Sequence, residues 1–178
     1  MLDKLKKLRL DIDGLYHLVE SLNPYEIEKP VYTNGGVKYN IINQPTTKLA
    51  GTSMNTLQLY ECAKSLLLAK AWAGSFMQSL WSKTPYISDG KRKTLKDIEP
   101  TAEVSKVGYP ELNGGSDPTY IQKVDWLRER IKEIYITVGD DQDYHGEVYG
   151  EQIYIKLTEA RYFLGFELER LKNESEGK

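Results

Sequence analysis

Apolar residues recur at spacings of three and four in four separate segments of the 178-residue chain. This spacing places the apolar side chains of each segment on one stripe of an α-helix. Four helices are therefore predicted, over about 3–21, 52–84, 120–138 and 151–174. Their stripes contain Leu5, Leu8, Ile12, Leu15, Val19 and Leu22; Leu59, Cys62, Leu66, Ala69, Ala73, Phe76 and Leu80; Val124, Leu127, Ile131, Ile134 and Val138; and Ile153, Leu157, Ala160, Leu164, Leu168 and Leu171.

The segments between these stripes predict the connections. Residues 23–51 hold three prolines and an Asn-Gly pair flanked by β-prone residues, which predicts a small β-hairpin excursion. Residues 85–118 mix proline, glycine, serine and charge without a period, which is typical of an irregular connector or lid, and their length is typical of a functional segment. The predicted fold is all-α, with two tandem antiparallel helical hairpins in a four-helix arrangement. The first hairpin spans 1–84 and the second spans 119–178.

The two predicted hairpins repeat each other. Shifting the first helix by 119 positions and the second by 91 superimposes the apolar stripes and pairs Arg9 with Arg128, Tyr16 with Tyr135, Lys70 with Arg161, Trp72 with Phe163 and Gly74 with Gly165. The offsets differ by 28 residues, so the loop within the second hairpin is shorter by that length, as expected for an insertion in a loop. An internal duplication of a helical hairpin is therefore predicted.

The repeated glycine is the least ordinary part of the pattern. A glycine inside a helix costs about 1 kcal/mol relative to alanine. Its recurrence as Gly74 and Gly165 indicates a place where another backbone or a ligand comes close. Tight helix packing and ligand contact both remain open at these positions.

Composition excludes several classes of protein. A net charge of −2 argues against a basic arm that coats nucleic acid polymers, whereas 13 Tyr, 3 Trp and 3 Phe offer stacking surfaces for a small ligand. Cys62 is the single cysteine and, with only two histidines, predicts neither an intramolecular disulfide nor a structural zinc site, so a reducing cytosol is expected. Residues 1–22 alternate charged and apolar residues, so neither a signal peptide nor a membrane span is expected there.

One stretch resembles a known family. The residues "AKAWAGSFMQSLWSKTPYISDGKRKTLKDIEPTAE", 69–103, resemble the helical-hairpin phage proteins that sequester nucleotide messengers of the bacterial CBASS and Thoeris defences. The family's run "A-K-x-W-L-G-x-x-L", its Pro-Tyr pair and its acidic "I-E-P-T-A-[DE]" segment correspond to Ala69, Lys70, Trp72, Gly74, Met77, Pro85-Tyr86 and 98–103. The resemblance covers 52–103, extends weakly to 3–22 and reaches 121–172 through the internal repeat. This chain departs from simple members by having two hairpins and by having Phe163 in place of the tryptophan.

The resemblance implies a homo-oligomer that binds a cyclic dinucleotide, a cyclic trinucleotide or a cyclic ADP-ribose isomer between protomers without cleaving it. The expected setting is the cytoplasm of the infected bacterium, with no cofactor, no nucleic acid polymer and no membrane as partner. Phosphates require cationic forks and bases require aromatic platforms. The candidate ligand-binding residues are Tyr16, Lys70, Trp72, Tyr86, Lys91, Arg92, Tyr135 and Arg161, of which Lys91 and Arg92 belong to the turn "DGKRKT".

Other interpretations of these residues remain open. Lys70 and Arg161 are also compatible with solvated helix faces, and Trp72, Tyr16 and Tyr135 with burial between helices. The whole chain is also compatible with a phage structural or assembly protein whose hairpins only oligomerise.

An acidic segment raises an enzymatic alternative. The segment "GDDQDYHGE", 139–147, has the residue types of a divalent-metal phosphodiesterase, but it lies where a hairpin turn is expected and lacks the ligand spacing of a calcium loop. It is predicted to be a solvated acidic loop. No catalytic and no metal-ligating residue is predicted.

Overall fold

The computed structural model describes residues 1–23, 31–33, 36–38, 57–83, 87–88, 91–92, 108–109 and 118–177. Within these ranges the chain forms helices α1 (Leu2–Leu22), α2 (Leu57–Lys83), α3 (Tyr120–Asp140) and α4 (Val148–Ser175). The predicted all-α bundle is confirmed. No helix in the described ranges is long and apolar enough to cross a membrane.

Short extended segments occur between the helices. Strands β1 (Val31–Thr33) and β2 (Gly36–Lys38) pair antiparallel, as do β3 (Ile87–Ser88) and β4 (Lys91–Arg92). A single 3₁₀ turn, Gln142–Tyr144, lies between α3 and α4. The rest of the excursion predicted over 23–51, the predicted start of the second helix at 52–56 and most of the connector over 85–118 lie outside the described residues.

The helices pack as two hairpins joined along their second members. Helix α1 packs on α2, α3 packs on α4, and the most extensive interface runs between α2 and α4. Near the end of α2, the Phe76 ring stacks on Tyr149 at the start of α4, with centroids 5.6 Å apart. Helices α1 and α3 meet much less, and Lys4 of α1 reaches Asp141 just beyond α3 with an Nζ–Oδ2 distance of 2.8 Å. The buried side chains of both hairpins form one hydrophobic cluster.

The internal repeat extends to the core. The apolar positions paired in α1 and α3 are all buried: Leu5 and Val124, Leu8 and Leu127, Ile12 and Ile131, Leu15 and Ile134, and Val19 and Val138. In α2 and α4, Leu66 and Ala69 are fully buried, as are their partners Leu157 and Ala160. The equivalent apolar residues named here are therefore buried in both hairpins.

The repeated glycines contact the repeated arginines. A Cβ built on Gly74 would lie 3.6 Å from Nε of Arg9, and a Cβ built on Gly165 would lie 3.4 Å from Nε of Arg128. The group over each glycine is thus an arginine side chain of the neighbouring helix, and not the backbone that the sequence also allowed. Both gaps are of ordinary van der Waals size for a methyl group.

Replacing either glycine by alanine is expected to stabilise the protein. Because a methyl group fits, Gly74→Ala and Gly165→Ala should each raise the free energy of unfolding by about 0.5–1 kcal/mol through helix propensity. Urea denaturation checks the values. Gly146→Ala is the opposing control, since Gly146 has a φ of 74° that an alanine adopts only with strain. Destabilisation by Gly74→Ala or Gly165→Ala would mean that the arginine cannot yield to the methyl group.

Candidate functional site

The repeat places two equivalent rows of residues where the helices of each hairpin meet. The α3/α4 seam consists of Arg128, Lys132, Tyr135 and Gly139 on α3 and of Tyr154, Thr158, Arg161 and Gly165 on α4. Spacings of three and four place each row on one helix face. The equivalent α1/α2 seam consists of Arg9, Asp13, Tyr16 and Glu20 on α1 and of Ala63, Leu67, Lys70 and Gly74 on α2.

Arg161 and Tyr135, which the sequence analysis predicted as ligand-binding residues, are in contact in the α3/α4 seam. The guanidinium carbon of Arg161 lies 5.8 Å from the centroid of the Tyr135 ring. The ring of Tyr154 meets Tyr135 edge to face, with centroids 5.6 Å apart. Nε of Arg161 is buried without a hydrogen-bond partner, and Arg161 forms no ion pair in the described part of the chain. Its charge is therefore not balanced by any carboxylate that the structure describes.

Lys70, the equivalent of Arg161, is in a different electrostatic environment. Its Nζ donates a hydrogen bond to Oδ1 of Asp13 over 2.7 Å, and Nε2 of His17 lies 3.5 Å from the same oxygen. The Lys70 side chain is 29% exposed. Its charge is thus already balanced by a carboxylate of the same hairpin.

The two equivalent tyrosines also differ. Tyr16 is 8% exposed and packs edge to face on His17, whereas Tyr135 is half-buried. Desolvation, and then the charges of Glu20 and Asp13, raise the pKa of Tyr16 above its ordinary value. Tyr16 therefore sits in a closed, acidic environment, and Tyr135 keeps an accessible surface.

A cleft of about 540 Å³ opens at the end of the α3/α4 seam. This volume falls in the range of small-molecule sites. Its polar and aromatic lining consists of Tyr135, Asp140, Tyr144, His145, Glu151 and Tyr154. Gly139 makes room for one of these rings, since a Cβ there would lie 3.0 Å from Cε2 of Tyr154. Three tyrosine rings and two carboxylates suit a flat aromatic group that carries N–H donors.

The carboxylates of this cleft, Asp140 and Glu151, are exposed. Neither forms an ion pair or a hydrogen bond within the described ranges. A second cleft, of about 370 Å³, lies between α1 and α3, and its charged residues do form ion pairs. There Lys7 pairs with Asp11, Arg130 with Glu133 and Lys4 with Asp141, so the charges satisfy one another. The cleft of the α3/α4 seam is therefore the better candidate for a ligand.

The acidic loop is tied to the first helix. Lys4 donates to Asp141 and to Asp143. The hydrogen bond from Lys4, followed by one from the backbone N–H of Asp143, holds the pKa of Asp141 below its ordinary value. The imidazole of His145 contacts the carbonyl oxygen of Gly139. Among the described residues no group of three or more histidine, cysteine, aspartate or glutamate side chains is placed to hold a metal ion. The loop's visible role is to join α1 to the α3–α4 turn.

The other predicted site residues lie elsewhere. Trp72 is half-buried, and its ring lies 6.1 Å from that of Tyr149, so it faces the interface between α2 and α4 and neither seam. Tyr86 lies outside the described residues. Lys91 and Arg92 form β4, of which only the backbone is described. Cys62 is fully buried, which raises the pKa of its thiol and keeps it protonated.

Sequence reasoning missed one buried charge. Glu167 is 0% exposed, accepts a hydrogen bond from the Tyr120 hydroxyl over 2.8 Å and is bound by Arg170 through two further hydrogen bonds. Burial and the contact with Glu167 raise the pKa of Tyr120. This cluster fastens the start of α3 to the end of α4. The sequence pattern around Glu167 did not predict this cluster, because the contact with Tyr120 depends on how α3 and α4 pack.

One face of α4 carries apolar side chains without cover. Val148, Ile155, Tyr162 and Phe166 are 56%, 42%, 61% and 53% exposed. Their spacings of seven, seven and four residues place them on one stripe along the helix. Such a stripe is typical of a surface that packs on another helix.

The chain has no match among known protein families, curated proteins or solved structures. The α3/α4 seam, its cleft and the exposed stripe of α4 are therefore the features on which a functional interpretation depends.

Proposed function

We propose that the chain binds and sequesters a cyclic nucleotide or cyclic ADP-ribose type signal without cleaving it, as a phage-encoded counter to bacterial defence in the cytoplasm of the infected cell. The observation that supports this function is the position of Arg161. This duplicated cation lies over Tyr135 beside the cleft and has no carboxylate partner in the described part of the chain. The resemblance of 69–103 to messenger-sequestering proteins supplies the class of ligand.

The seam and cleft match the parts of a nucleotide. The guanidinium of Arg161 presents N–H donors to a phosphate group, for which charge-assisted hydrogen bonds are favourable. The rings of Tyr135 and Tyr154 offer a stacking surface for a base, worth about 1–3 kcal/mol per base. Asp140 and Glu151 accept hydrogen bonds from the N–H groups on a base edge. The carboxylates lie at the cleft end, so the phosphate belongs on the Arg161 side.

A cyclic dinucleotide would require contacts from more than one protomer. The α3/α4 seam offers a single arginine–tyrosine pair of the Arg161–Tyr135 kind, whereas a cyclic dinucleotide carries two phosphates and two bases. A second copy of the seam, from another protomer, completes the set of contacts. We therefore propose that binding takes place between protomers of a homo-oligomer.

Substitutions in the seam test the binding function. Arg161→Ala should weaken the tightest ligand of a panel of cyclic di- and trinucleotides and cyclic ADP-ribose isomers by about ten- to a hundredfold, because a charge-assisted hydrogen bond of about 1.5–3 kcal/mol is lost. Tyr135→Ala should have a similar effect through lost stacking. Isothermal titration calorimetry measures both. Lys156→Ala is the matched control, since Lys156 pairs with Glu159 on the same helix outside the seam. Unchanged affinity in both seam variants would contradict the proposal.

The non-catalytic part of the proposal has a separate test. After incubation with ligand, the protein is denatured and the nucleotide is analysed by chromatography and mass spectrometry. The intact cyclic compound is expected in full yield. A linear product that accumulates with time would contradict sequestration and favour the phosphodiesterase alternative.

Assembly is the second candidate function, and the exposed stripe of α4 favours it. Apolar residues at this spacing form seams between helices, and two copies of one stripe are self-complementary about a two-fold axis. Light scattering is expected to give a multiple of the 20.4 kDa chain mass. Phe166→Glu should reduce that mass, whereas Glu169→Ala should not. An oligomer that ignores the whole nucleotide panel would favour assembly over sequestration.

A further inference from the structure

The two seams differ in charge at equivalent positions. The α1/α2 seam contains two carboxylates, Asp13 and Glu20, and two cations, Arg9 and Lys70. In the α3/α4 seam the positions of those carboxylates are occupied by Lys132 and Gly139. Three cations, Arg128, Lys132 and Arg161, therefore line the second seam, and no acidic residue occupies any of its eight positions.

The contacts show how completely the first seam is neutralised. Asp13 is 24% exposed and accepts the hydrogen bond from Lys70 over 2.7 Å, a normal length for such a bond. It also lies 3.5 Å from His17. An incoming anion would have to displace this carboxylate from the ammonium group.

Within the described ranges no comparable partner closes the second seam. The nearest carboxylate is Glu129, whose oxygens lie 3.6 Å from Nη1 of Arg128 and 3.8 Å from Nζ of Lys132. These separations exceed hydrogen-bond length, and Glu129 is 48% exposed, so water screens the attraction. The guanidinium of Arg161 lies over the face of Tyr135 and forms no ion pair with any residue that the structure describes.

We propose that the α3/α4 seam is the anion site of the chain, with Arg128, Lys132 and Arg161 receiving one phosphate group, and that Asp13 is a built-in counter-ion that closes the equivalent site in the α1/α2 seam. Each chain then binds one phosphate group where the duplication would allow two. The inference rests on the proposed function for the nucleotide nature of the ligand, while the anion site itself depends only on the seam.

The physical basis is competition between two anions for one cation. A carboxylate on the same hairpin has a high effective concentration at the cation. A free phosphate at millimolar concentration therefore competes poorly with it. Where the duplicated position carries lysine, the half-exposed Glu129 is the carboxylate beside Arg128 and Lys132, and the repulsion among the cations falls further when an anion binds. Asp13 thus occupies the cation of the first seam, whereas Lys132 at the equivalent position adds a cation to the second.

Nuclear magnetic resonance with inorganic pyrophosphate tests the assignment of the site. The full ¹⁵N-labelled chain is titrated at low ionic strength, where screening is weak. Amide shifts are expected around 128–135 and 161–165, saturating at one equivalent, with no saturable shifts around 9–16 and 70–74. Equal shifts in both seams, or none in the α3/α4 seam, would overturn the proposal.

Exchanging the diverged residues tests the mechanism. Lys132→Asp introduces the counter-ion into the second seam and should weaken pyrophosphate binding by at least tenfold. Arg130→Asp makes the same change of charge on α3 outside the seam and should change it less than threefold. Asp13→Asn should release Lys70 and add a second saturable set of shifts around 70–74. An equal loss of pyrophosphate affinity in Lys132→Asp and Arg130→Asp would show that binding depends on the net charge of the chain and not on the seam, which would contradict the proposal.

The outcomes separate this inference from the proposed function. Pyrophosphate binding in the α3/α4 seam without binding of any cyclic nucleotide would disprove sequestration and leave the anion site standing. Tight binding of a cyclic nucleotide that is unaffected by Lys132→Asp and Arg161→Ala would disprove the anion site and leave sequestration standing.

Discussion

Phe76→Ala is expected to lower the free energy of unfolding by about 3–5 kcal/mol. Phe76 is 1% exposed, stacks on Tyr149 at an interplanar angle of 18° and lies 6.4 Å from the ring of Tyr144. It belongs to the first hairpin, and both aromatic partners belong to the second. Truncation removes buried apolar surface and leaves a cavity at the joint between the two hairpins.

The chain offers a matched control for this substitution. Phe166→Ala makes the same chemical change on α4 at a side chain that is 53% exposed in the single chain, so at a concentration where light scattering gives the monomer its effect should remain within about 0.5 kcal/mol. Urea denaturation followed by circular dichroism gives both values. A single transition that shifts only for Phe76→Ala is expected from a shared core. Two separate transitions would instead mean that the hairpins unfold independently.

The helices were predictable because their apolar stripes are long and regular. Predicted and observed bounds of α1, α3 and α4 agree within about three residues. The two largest differences occur at glycines. Helix α3 continues through Gly139 to Asp140, and α4 begins before Gly150, because tertiary contacts at both glycines outweigh their low helix propensity.

The candidate site was only partly predictable. The repeat identified Arg161 and Tyr135 as equivalents of Lys70 and Tyr16, and the structure brings Arg161 and Tyr135 together. The ion pair that occupies Lys70 was missed, because Asp13 is 57 residues away in sequence and meets Lys70 through the pairing of α1 with α2. The charge reversal from Asp13 to Lys132 was nevertheless visible at the offset of 119.

The cleft was not predictable, because it depends on close approaches that no periodicity encodes. Gly139 makes room for the ring of Tyr154, and Gly150 makes room for the backbone of Tyr144. Both tyrosines line the cleft. The shape of the proposed base site therefore depends on two glycines that carry no functional group.

Gly150→Ala is expected to lower the free energy of unfolding by about 1–3 kcal/mol, or more. A Cβ at Gly150 would lie 2.0 Å from the carbonyl oxygen of Tyr144 and 2.9 Å from its carbonyl carbon. Both are backbone atoms, so the turn between α3 and α4 must move. Helix propensity alone predicts the opposite sign, a gain of about 1 kcal/mol, so the direction of the change separates the two effects.

Gly165→Ala is the control for Gly150→Ala, because it makes the same substitution inside α4 where a methyl group has 3.4 Å of space. It should leave stability equal or higher. Calorimetry on Gly150→Ala and on Gly74→Ala, which adds the same methyl group in the α1/α2 seam, extends the test to function. Moving the Tyr144 backbone displaces one wall of the cleft, so Gly150→Ala should weaken binding of the tightest cyclic nucleotide while Gly74→Ala retains it. If Gly150→Ala stabilised the protein and kept its affinity, the turn would be free to move away from α4, and Gly150 would not set the shape of the base site.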